Sequence, residues 1–322
     1  MPSSDEKTVG DHPNEDLLVA LSEGLLDDLE RGQVLIHLDG CRACRELVSS
    51  LAGAPDGPAD LVGQTILGHH VDSVLSSGGM GVVYKARDDA GEWVALKVLL
   101  PHLVDDPQHI GRLKAEARAL QKINHPHVVR LLDFGGLPDG SQALIIELLN
   151  GESMSARIKR GPVSIALTRR WLRELLSALE ATHTAGVLHR DLKPANLFLV
   201  APDEALKVLD FGLARNDGAT ALTASGVVVG TSGYLAPEFL LGAPPTVQSD
   251  LYSVGCIAWK LITGEAVFPR KTMGEELKAH LNEPLPPLPL LPTGLEKLVR
   301  ALLAKRPDDR PKTAGHALGL AS

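Results

Sequence analysis

The stretch from His189 to Asn196 constrains this chain more than any other. It places the carboxylate of Asp191, the ammonium group of Lys193 and the amide of Asn196 within six residues, and Pro194 stiffens the turn between them. Asp191 can orient a hydroxyl group and accept its proton, and Lys193 can neutralise negative charge beside it. Asn196 offers a side-chain oxygen to a hard cation. Nucleophile positioning, charge neutralisation and metal binding are together the requirements of phosphoryl transfer.

Two later motifs follow this stretch in a fixed order. Asp210-Phe211-Gly212 begins fourteen residues after Asn196, and Ala236-Pro237-Glu238 comes further along the chain. In this order and at this spacing the three motifs resemble those of the eukaryotic-type protein kinases, and in particular of their bacterial serine/threonine branch. The resemblance covers about residues 65–317.

A glycine-rich stretch lies between two segments of strand-like composition, at residues 75–86. Its glycines allow backbone N–H groups to approach phosphate groups closely. The stretch resembles the phosphate-binding loop of the family, although a serine occupies the position of the first glycine in the family pattern. The residues that the resemblance assigns to this loop are Ser76, Gly78, Gly79, Gly81 and Val83.

Lys97 is a charged residue inside an apolar run that begins at Trp93. A buried ammonium group is costly without partners. The resemblance supplies two partners, namely the α- and β-phosphates of ATP and the carboxylate of Glu116, on a helix predicted over residues 109–123. The side chains predicted on the inward face of that helix are Ile110, Leu113, Ala117 and Leu120.

The apolar run 144–149 is predicted to be a buried strand that leads into the hinge between two lobes. The resemblance implies that backbone groups of Glu147 and Leu149 hydrogen-bond adenine. It also places Ala95 in the ATP site and Ile146 at the gatekeeper position.

The resemblance assigns the chemistry itself to the second half of the chain. Asp191 is the expected catalytic aspartate and Lys193 the expected contact of the γ-phosphate. Asn196 and Asp210 are expected to hold Mg²⁺ or Mn²⁺. A lysine two positions after the aspartate is typical of serine/threonine kinases, so the expected substrates are serine and threonine residues of proteins.

Four more residues are expected to support the site. The resemblance implies that Thr231 hydrogen-bonds the catalytic aspartate and lysine, and that Glu238 pairs with Arg310. Asp250 opens a buried helix and matches the aspartate that braces the catalytic loop.

The segment between Gly212 and Ala236 contains several hydroxyl side chains. Arg190 directly precedes the catalytic aspartate and can pair with a phosphate group on this segment. We therefore expect autophosphorylation at Thr223 or Ser225, with Thr220 a weaker candidate. The alternative is a polar loop that is never modified.

A histidine and two cysteines near the N-terminus have the spacing of metal ligands, at His37, Cys41 and Cys44. An imidazole and two thiolates spaced in this way can converge on one tetrahedral Zn²⁺ ion, and His12 can supply a fourth ligand. This pattern is similar to the zinc-binding anti-sigma-factor domain. Two alternatives remain open: free thiols beside surface histidines on a helical bundle, or a redox-active pair of cysteines.

The predicted fold class is therefore α+β, a two-lobed protein kinase fold preceded by a small all-α zinc-binding module. We expect a five-stranded antiparallel β N-lobe and a mainly helical C-lobe. Glycine and proline mark a linker between the module and the kinase domain. The predicted boundaries are a disordered leader at 1–11, the helical module at 12–51, the linker at 52–62, and the kinase domain at 63–320, with lobes at 63–147 and 151–320.

Composition narrows the possible partners and the location. Residues 1–60 contain four basic and thirteen acidic side chains, and the whole chain of 322 residues has a net charge of −8. This distribution gives no basic surface for nucleic acid. No apolar run reaches the ~18 residues of a membrane span, and the polar start is no signal peptide. We therefore expect a cytoplasmic protein.

The sequence thus predicts a serine/threonine protein kinase that uses ATP and Mg²⁺ or Mn²⁺ and acts on protein substrates. The zinc module is expected to regulate the kinase or to bind a regulatory partner. The rival hypothesis is a pseudokinase scaffold whose zinc module binds a sigma-factor-like protein. Ser76 favours the rival, whereas the presence of Lys97, Asp191, Asn196 and Asp210 opposes it.

Overall fold

A computed structural model describes residues 61–78, 81–99, 107–211, 232–270 and 272–320 of this chain. Nearer the N-terminus it describes eight single positions, namely Pro13, Leu21, Gly32, Val34, His37, Leu38, Cys41 and Cys44. Five predicted site residues lie outside the described residues: His12, Gly79, Thr223, Ser225 and Thr231. The predicted leader and most of the predicted linker also lie outside them.

The N-terminal lobe is built on an antiparallel sheet. Its strands are β1 (Thr65–Ile66), β2 (His69–Gly78), β3 (Gly81–Arg87), β4 (Trp93–Leu99), β5 (Leu131–Gly136) and β6 (Gln142–Glu147), and they lie side by side in the order β1-β2-β3-β4-β6-β5. The sequence predicts five strands. The additional strand is the two-residue β1, which pairs with the first residues of β2 because a tight turn at Leu67–Gly68 folds the chain back.

The two faces of this sheet have different roles. Strand register pairs Val83 with Lys97 and Ala95 with Ile146, so the side chains of all four lie on the face that includes the lysine. The opposite face is apolar and buried. It packs with Leu61, which the sequence analysis assigns to the linker but which is only 6% exposed in the N-lobe core.

One helix, α1 (Pro107–Gln121), packs beside the sheet. Leu113, Ala117 and Leu120 on its predicted inward face are buried, and Ile110 packs against the same core. Spacings of three and four residues place these side chains in one stripe, which explains why the helix lies with this face inward. Glu116 is carried on this helix.

The C-terminal lobe is mainly helical. Its helices are α2 (Met154–Lys159), α3 (Ile165–Thr184), α4 (Pro237–Leu240), α5 (Val247–Thr263), α6 (Met273–Asn282), α7 (Thr293–Leu302) and α8 (Ala314–Leu320). A small antiparallel sheet, β7 (Gly151–Ser153), β8 (Leu197–Val200) and β9 (Ala205–Val208), lies at the junction with the N-lobe. Within the described ranges, no helix combines the length and apolar character needed to cross a membrane.

Helix α5 is the centre of the C-lobe core. Thr246 and Ser249 form a reciprocal capping box at its start, and Gly264 ends it in a left-handed conformation with φ +80°. Its sequence is apolar on nearly all sides, and most of its residues are buried. A helix without a polar face is stable only inside a core, so α5 is a fixed support for residues near its N-terminus, including Asp250.

A buried histidine of α6, His280, packs against α5. His280 is inaccessible to solvent, and its Nδ1 is hydrogen-bonded to the hydroxyl oxygen of Tyr252 at 2.9 Å. Lys305 donates to the carbonyl oxygen of His280 at 2.6 Å and lies over the ring of Phe268. Burial, together with the positive charge of Lys305, lowers the pKa of His280 to about 4.

We expect this histidine to make the fold sensitive to acid. The unfolded chain binds a proton at His280 below its ordinary pKa of 6.5, but the folded chain does not do so until the pH approaches 4. The contribution of His280 to the free energy of unfolding is therefore fully present above pH 6.5. It is lost on acidification, by on the order of 2 kcal/mol at pH 5. Urea unfolding at pH 7 and pH 5 measures this loss. In a His280→Gln variant the loss should be smaller by about that amount, and an equal loss in both proteins would contradict the assignment.

Candidate active site

The catalytic loop brings three of the predicted residues together. Asn196 donates from Nδ2 to the backbone carbonyl of Asp191 at 2.8 Å and to its Oδ2 at 3.1 Å. The ammonium group of Lys193 lies 3.1 Å from the same Oδ2. The side chain of Asp191 is 12% exposed, so its carboxylate is oriented by two donors but still reaches the cleft. This geometry leaves Oδ1 of Asn196 as the atom that the amide can offer to a cation.

His189 supports the loop from within the core. Its Nε2–H donates to the carbonyl of Leu209 at 2.8 Å, and its Nδ1 accepts from the backbone N–H of Asp191 at 3.3 Å. Burial lowers the pKa of His189 in spite of nearby carboxylates, so the ring is neutral and its partners fix the tautomer. The ring also packs against Phe211. His189 therefore connects the backbone of Asp191 to that of Leu209.

Lys97 bridges the two lobes. Its Nζ lies 2.5 Å from Oδ1 of Asp210, which directly follows the strand β9 and Leu209. The backbone N–H of Leu209 donates to the carbonyl of Asn196 at 2.9 Å, so the predicted metal ligands lie on neighbouring segments, Asn196 directly before β8 and Asp210 shortly after β9. Asp210 and Arg190 both have positive φ, at 47° and 62°. Strain of this kind in residues other than glycine is concentrated at functional sites.

Glu116 is bonded to a different cation from the one that the resemblance implies. Its carboxylate lies 2.7 Å from a guanidinium nitrogen of Arg190, and both side chains are largely buried. Lys97 is bonded to Asp210 instead, so the expected Lys97–Glu116 pair is not formed in this structure. The difference arises because α1 places Glu116 within reach of Arg190 in the catalytic loop, whereas Lys97 lies within reach of Asp210.

Asp250 connects α5 to the catalytic loop. Its two oxygens accept the backbone N–H groups of His189 and Arg190 at 2.8 and 2.9 Å, and His183 bonds to the same carboxylate at 2.9 Å. Burial acts to raise the pKa of Asp250, but the hydrogen bonds from the His183 side chain and from the backbone N–H of His189 outweigh it, and the net pKa is lowered. The carboxylate is therefore ionised and holds the residues immediately before Asp191.

The predicted phosphate-binding loop lies between β2 and β3. Gly78 pairs with Gly81, and Ser76 pairs with Val83. Gly81 has φ +148°, and a Cβ atom at this position would overlap the carbonyl oxygen of Val98. Glycine is therefore required here for both its backbone conformation and its close contact. The structure places Ser76 within β2 itself, where it pairs with β3 directly after a shift of register between Val74 and Ser76.

Glu238 and Arg310 form a bidentate ion pair away from the catalytic loop. The distances from the two guanidinium nitrogens to the two carboxylate oxygens are 2.7 and 2.8 Å. Arg310 also donates to the carbonyl oxygens of Gln248, Ala304 and Lys305. Its side chain is 0% exposed, so the pair joins the start of α4 to the end of the kinase domain in a buried environment.

The donor sets fit the cations that the sequence predicts. Asn196, directly before β8, and Asp210, shortly after β9, offer hard oxygen ligands, and the ammonium group of Lys97 already lies against the Asp210 carboxylate. Oxygen ligands of this kind suit Mg²⁺ and Mn²⁺. A cation can therefore be held between the start of β8 and the end of β9.

A second possible metal site lies near the N-terminus. The ligand atoms of His37, Cys41 and Cys44 all lie within 4.8 Å of one another, and Nε2 of His37 is 3.2 Å from Sγ of Cys44. The backbone N–H of Cys41 donates to the carbonyl of His37 at 2.9 Å, which holds the first two residues one helical turn apart. Neither cysteine forms a disulfide. One imidazole and two thiols converging in this way fit a tetrahedral zinc site.

Comparison with known sequences decides the family. The sequence profile described as "Protein kinase domain" matches residues 69–319, which is most of the chain. The chain belongs to the protein kinase family. The serine/threonine-protein kinase PknA of Mycobacterium tuberculosis is 36% identical over 262 residues, covering 79% of this chain and 61% of PknA. The serine/threonine-protein kinase pkn3 of Myxococcus xanthus is 37% identical over 272 residues, covering 79% of this chain and 50% of pkn3.

Solved structures show the same kinase fold. The kinase domain of Mycobacterium tuberculosis PknI matches with a TM-score of 0.62 and 24% identity, covering 80% of this chain and 97% of that domain. The predicted antiparallel N-lobe and helical C-lobe are thereby confirmed. This kinase chain spans about half to three fifths of the length of PknA and pkn3.

Sequence reasoning missed two residues with roles near the site. His183 bonds to Asp250, and Lys207 of β9 forms an ion pair with Glu147 at 2.7 Å. Lys207 carries the same signal as Lys97, namely a single charge inside an otherwise apolar strand. The signal for His183 is weaker, because a histidine near the end of a long helix is usually a surface residue.

Proposed function

We propose that this kinase transfers the γ-phosphoryl group of ATP to serine or threonine residues of proteins. The observation that carries this proposal is the joining of Asp191, Lys193 and Asn196 in one hydrogen-bonded loop, next to the chain segment that follows β9 and contains Asp210. The similarity to PknA and pkn3, both serine/threonine kinases by name, supports the same reaction class.

The chain's own residues account for most of the proposed mechanism. Asp191 orients the acceptor hydroxyl and accepts its proton, while the positive charge of Lys193 offsets negative charge on the transferred group. Lys97 reaches the same region from the N-lobe and can contact the phosphates. Bound Mg²⁺ or Mn²⁺ supplies further charge neutralisation on the phosphate oxygens. Asp250 keeps the loop in this arrangement through its two backbone hydrogen bonds.

We propose that phosphorylation of the segment between Gly212 and Ala236 regulates the site through two ion pairs. Arg190 is bonded to Glu116, and Lys97 to Asp210. A phosphate group on Thr223 or Ser225 carries about two negative charges and competes with Glu116 for Arg190. Release of Glu116 makes it available to Lys97, which in turn releases Asp210 for the cation. Autophosphorylation would then complete the nucleotide site.

Incubation of the purified protein with Mg-ATP, followed by phosphosite mapping by mass spectrometry, tests the proposal. We expect phosphate on Thr223 or Ser225 in the unsubstituted protein and none in an Asp210→Asn variant, since that change removes a metal-binding carboxylate. A thermal shift with ADP, with and without Mg²⁺, reports nucleotide binding independently. Absence of both phosphate transfer and a nucleotide shift would contradict the proposal and favour the scaffold hypothesis.

We further propose that His37, Cys41 and Cys44 hold one Zn²⁺ ion, with His12 as the fourth ligand. The convergence of the three described side chains supports this site. Zn²⁺ binding would stabilise a helical module that is too small to fold on apolar burial alone. We propose that the module regulates the kinase or recruits a regulatory partner.

Metal analysis of protein purified from zinc-supplemented cells tests the zinc site. We expect about one Zn²⁺ per chain, and a loss of most of it in a Cys41→Ser/Cys44→Ser variant, because thiolates are the strongest ligands of such a site. Cys256→Ala is the matched control, since Cys256 is a buried core thiol remote from these residues in sequence and should leave zinc unchanged. Metal-free protein, or equal zinc in all three proteins, would exclude the site.

A further inference from the structure

We propose that Glu147 and Lys207, termed here the hinge pair, are positioning residues that fix the adenine end of the nucleotide site relative to its metal end. Oε1 of Glu147 lies 2.7 Å from the ammonium group of Lys207. The same oxygen accepts the backbone N–H of Arg130 at 2.8 Å. The carboxylate therefore joins three separate parts of the chain at one point.

The first of these parts is the hinge. Glu147 is the last residue of β6, which pairs along its length with β4, the strand that carries Lys97. The backbone N–H of Glu147 also donates to the carbonyl of Arg130 at 3.1 Å. Both the backbone and the side chain of Glu147 are thus attached to the segment that precedes β5, so the hinge begins from a fixed residue.

The second and third parts are the segment 127–130 and the strand β9. Val208 of β9 exchanges backbone hydrogen bonds with this segment, donating to the carbonyl of His127 at 2.9 Å and accepting from Val129 at 3.0 Å. The ammonium group of Lys207 lies 3.4 Å from the carbonyl of Val128. The segment is therefore bonded to β9 on one side and to the hinge residue on the other.

This arrangement couples the two ends of the nucleotide site. Lys207 comes three residues before Asp210, the proposed metal ligand, and Glu147 is the proposed adenine contact through its backbone. The two side chains are only 18% and 29% exposed, so solvent screens their attraction less than at an open surface. Loss of the pair would leave the hinge attached to β9 only through the neutral backbone hydrogen bonds of the segment 127–130. ATP binding would then have to fix the position of the hinge, which lowers the affinity for ATP. This inference rests on the proposed use of ATP.

Steady-state phosphorylation by Lys207→Met and Glu147→Gln variants tests the hinge pair. We expect the KM for ATP to rise by about 3–10-fold in each, the size expected for losing a partly buried charge-assisted hydrogen bond, with kcat changed less than about two-fold. The double variant should be no worse than either single variant, since both lose the same interaction. Lys207→Arg should restore most of the affinity. Lys312→Met, at a lysine that is 70% exposed, is the matched control and should change neither constant.

Two results would overturn the inference. One is an unchanged KM for ATP in both single variants, and the other is a changed kcat at constant KM, which would mean that the pair restrains motion instead of placing the nucleotide. The affinity for ADP, measured by thermal shift on the same proteins, does not require phosphate transfer. If the unsubstituted protein binds ADP but transfers no phosphate, the catalytic proposal fails while the ADP affinities of the variants still decide the role of the hinge pair.

Discussion

Replacing Asp191 with asparagine is expected to lower the rate of phosphate transfer by about 10²–10⁴-fold, the range usual for losing a positioned general base. Oδ2 of Asp191 accepts a hydrogen bond from Asn196 and lies 3.1 Å from the ammonium group of Lys193. These two contacts fix the direction of the carboxylate. An amide of the same shape keeps the side chain in place but cannot accept the proton of the acceptor hydroxyl. The loss should therefore appear in kcat and not in the KM for ATP.

Three measurements on the Asp191→Asn protein separate catalysis from folding. The rate of phosphate transfer to a protein acceptor gives the effect itself. The thermal midpoint and the affinity for ADP are expected to match those of the unsubstituted protein, because His189 and Asp250 hold the loop through backbone groups. A rate within a few-fold of the unsubstituted protein would refute the role assigned to Asp191. A large fall in thermal midpoint would show that the side chain is structural.

The Glu238→Gln substitution is expected to cost about 3 kcal/mol of unfolding free energy, at the lower end of the 3–5 kcal/mol typical of breaking a buried ion pair. Arg310 has no solvent-accessible side-chain surface, so its charge would remain buried without a counter-ion. Three backbone carbonyls would still accept its hydrogen bonds, which limits the loss. Urea unfolding at pH 7 measures the change.

The exposed pair of Glu296 and Arg300 supplies a matched control. It joins the same residue types at 2.9 Å, but the two side chains are 39% and 50% exposed. Glu296→Gln should therefore cost less than about 1 kcal/mol, because water solvates both charges once they separate. Equal costs at positions 238 and 296 would show that burial does not decide the strength of the Glu238–Arg310 pair.

Much of the fold followed from local signals. The glycine-rich loop and the order of the three motifs carried the family resemblance that implied a two-lobed domain, and the predicted helix containing Glu116 lies within two residues of its observed bounds. These signals are local because side-chain periodicity and turn chemistry depend on near neighbours in sequence. Composition gave less information about where the predicted linker ends. Leu61 lies in a stretch rich in glycine and proline, but its side chain is buried with the N-lobe sheet.

The sequence by itself determined the residue types and spacing of the catalytic loop, and these point to one reaction class. Only the tertiary structure decided which charges meet. Glu116 bonds to Arg190, and Lys207 bonds to Glu147, sixty residues away. Ion pairing depends on distances of a few ångströms between side chains brought together by packing, and several carboxylates and cations compete at similar range. Spacing along the chain carries no information about that competition, whereas the three-dimensional arrangement of α1, β6 and β9 resolves it.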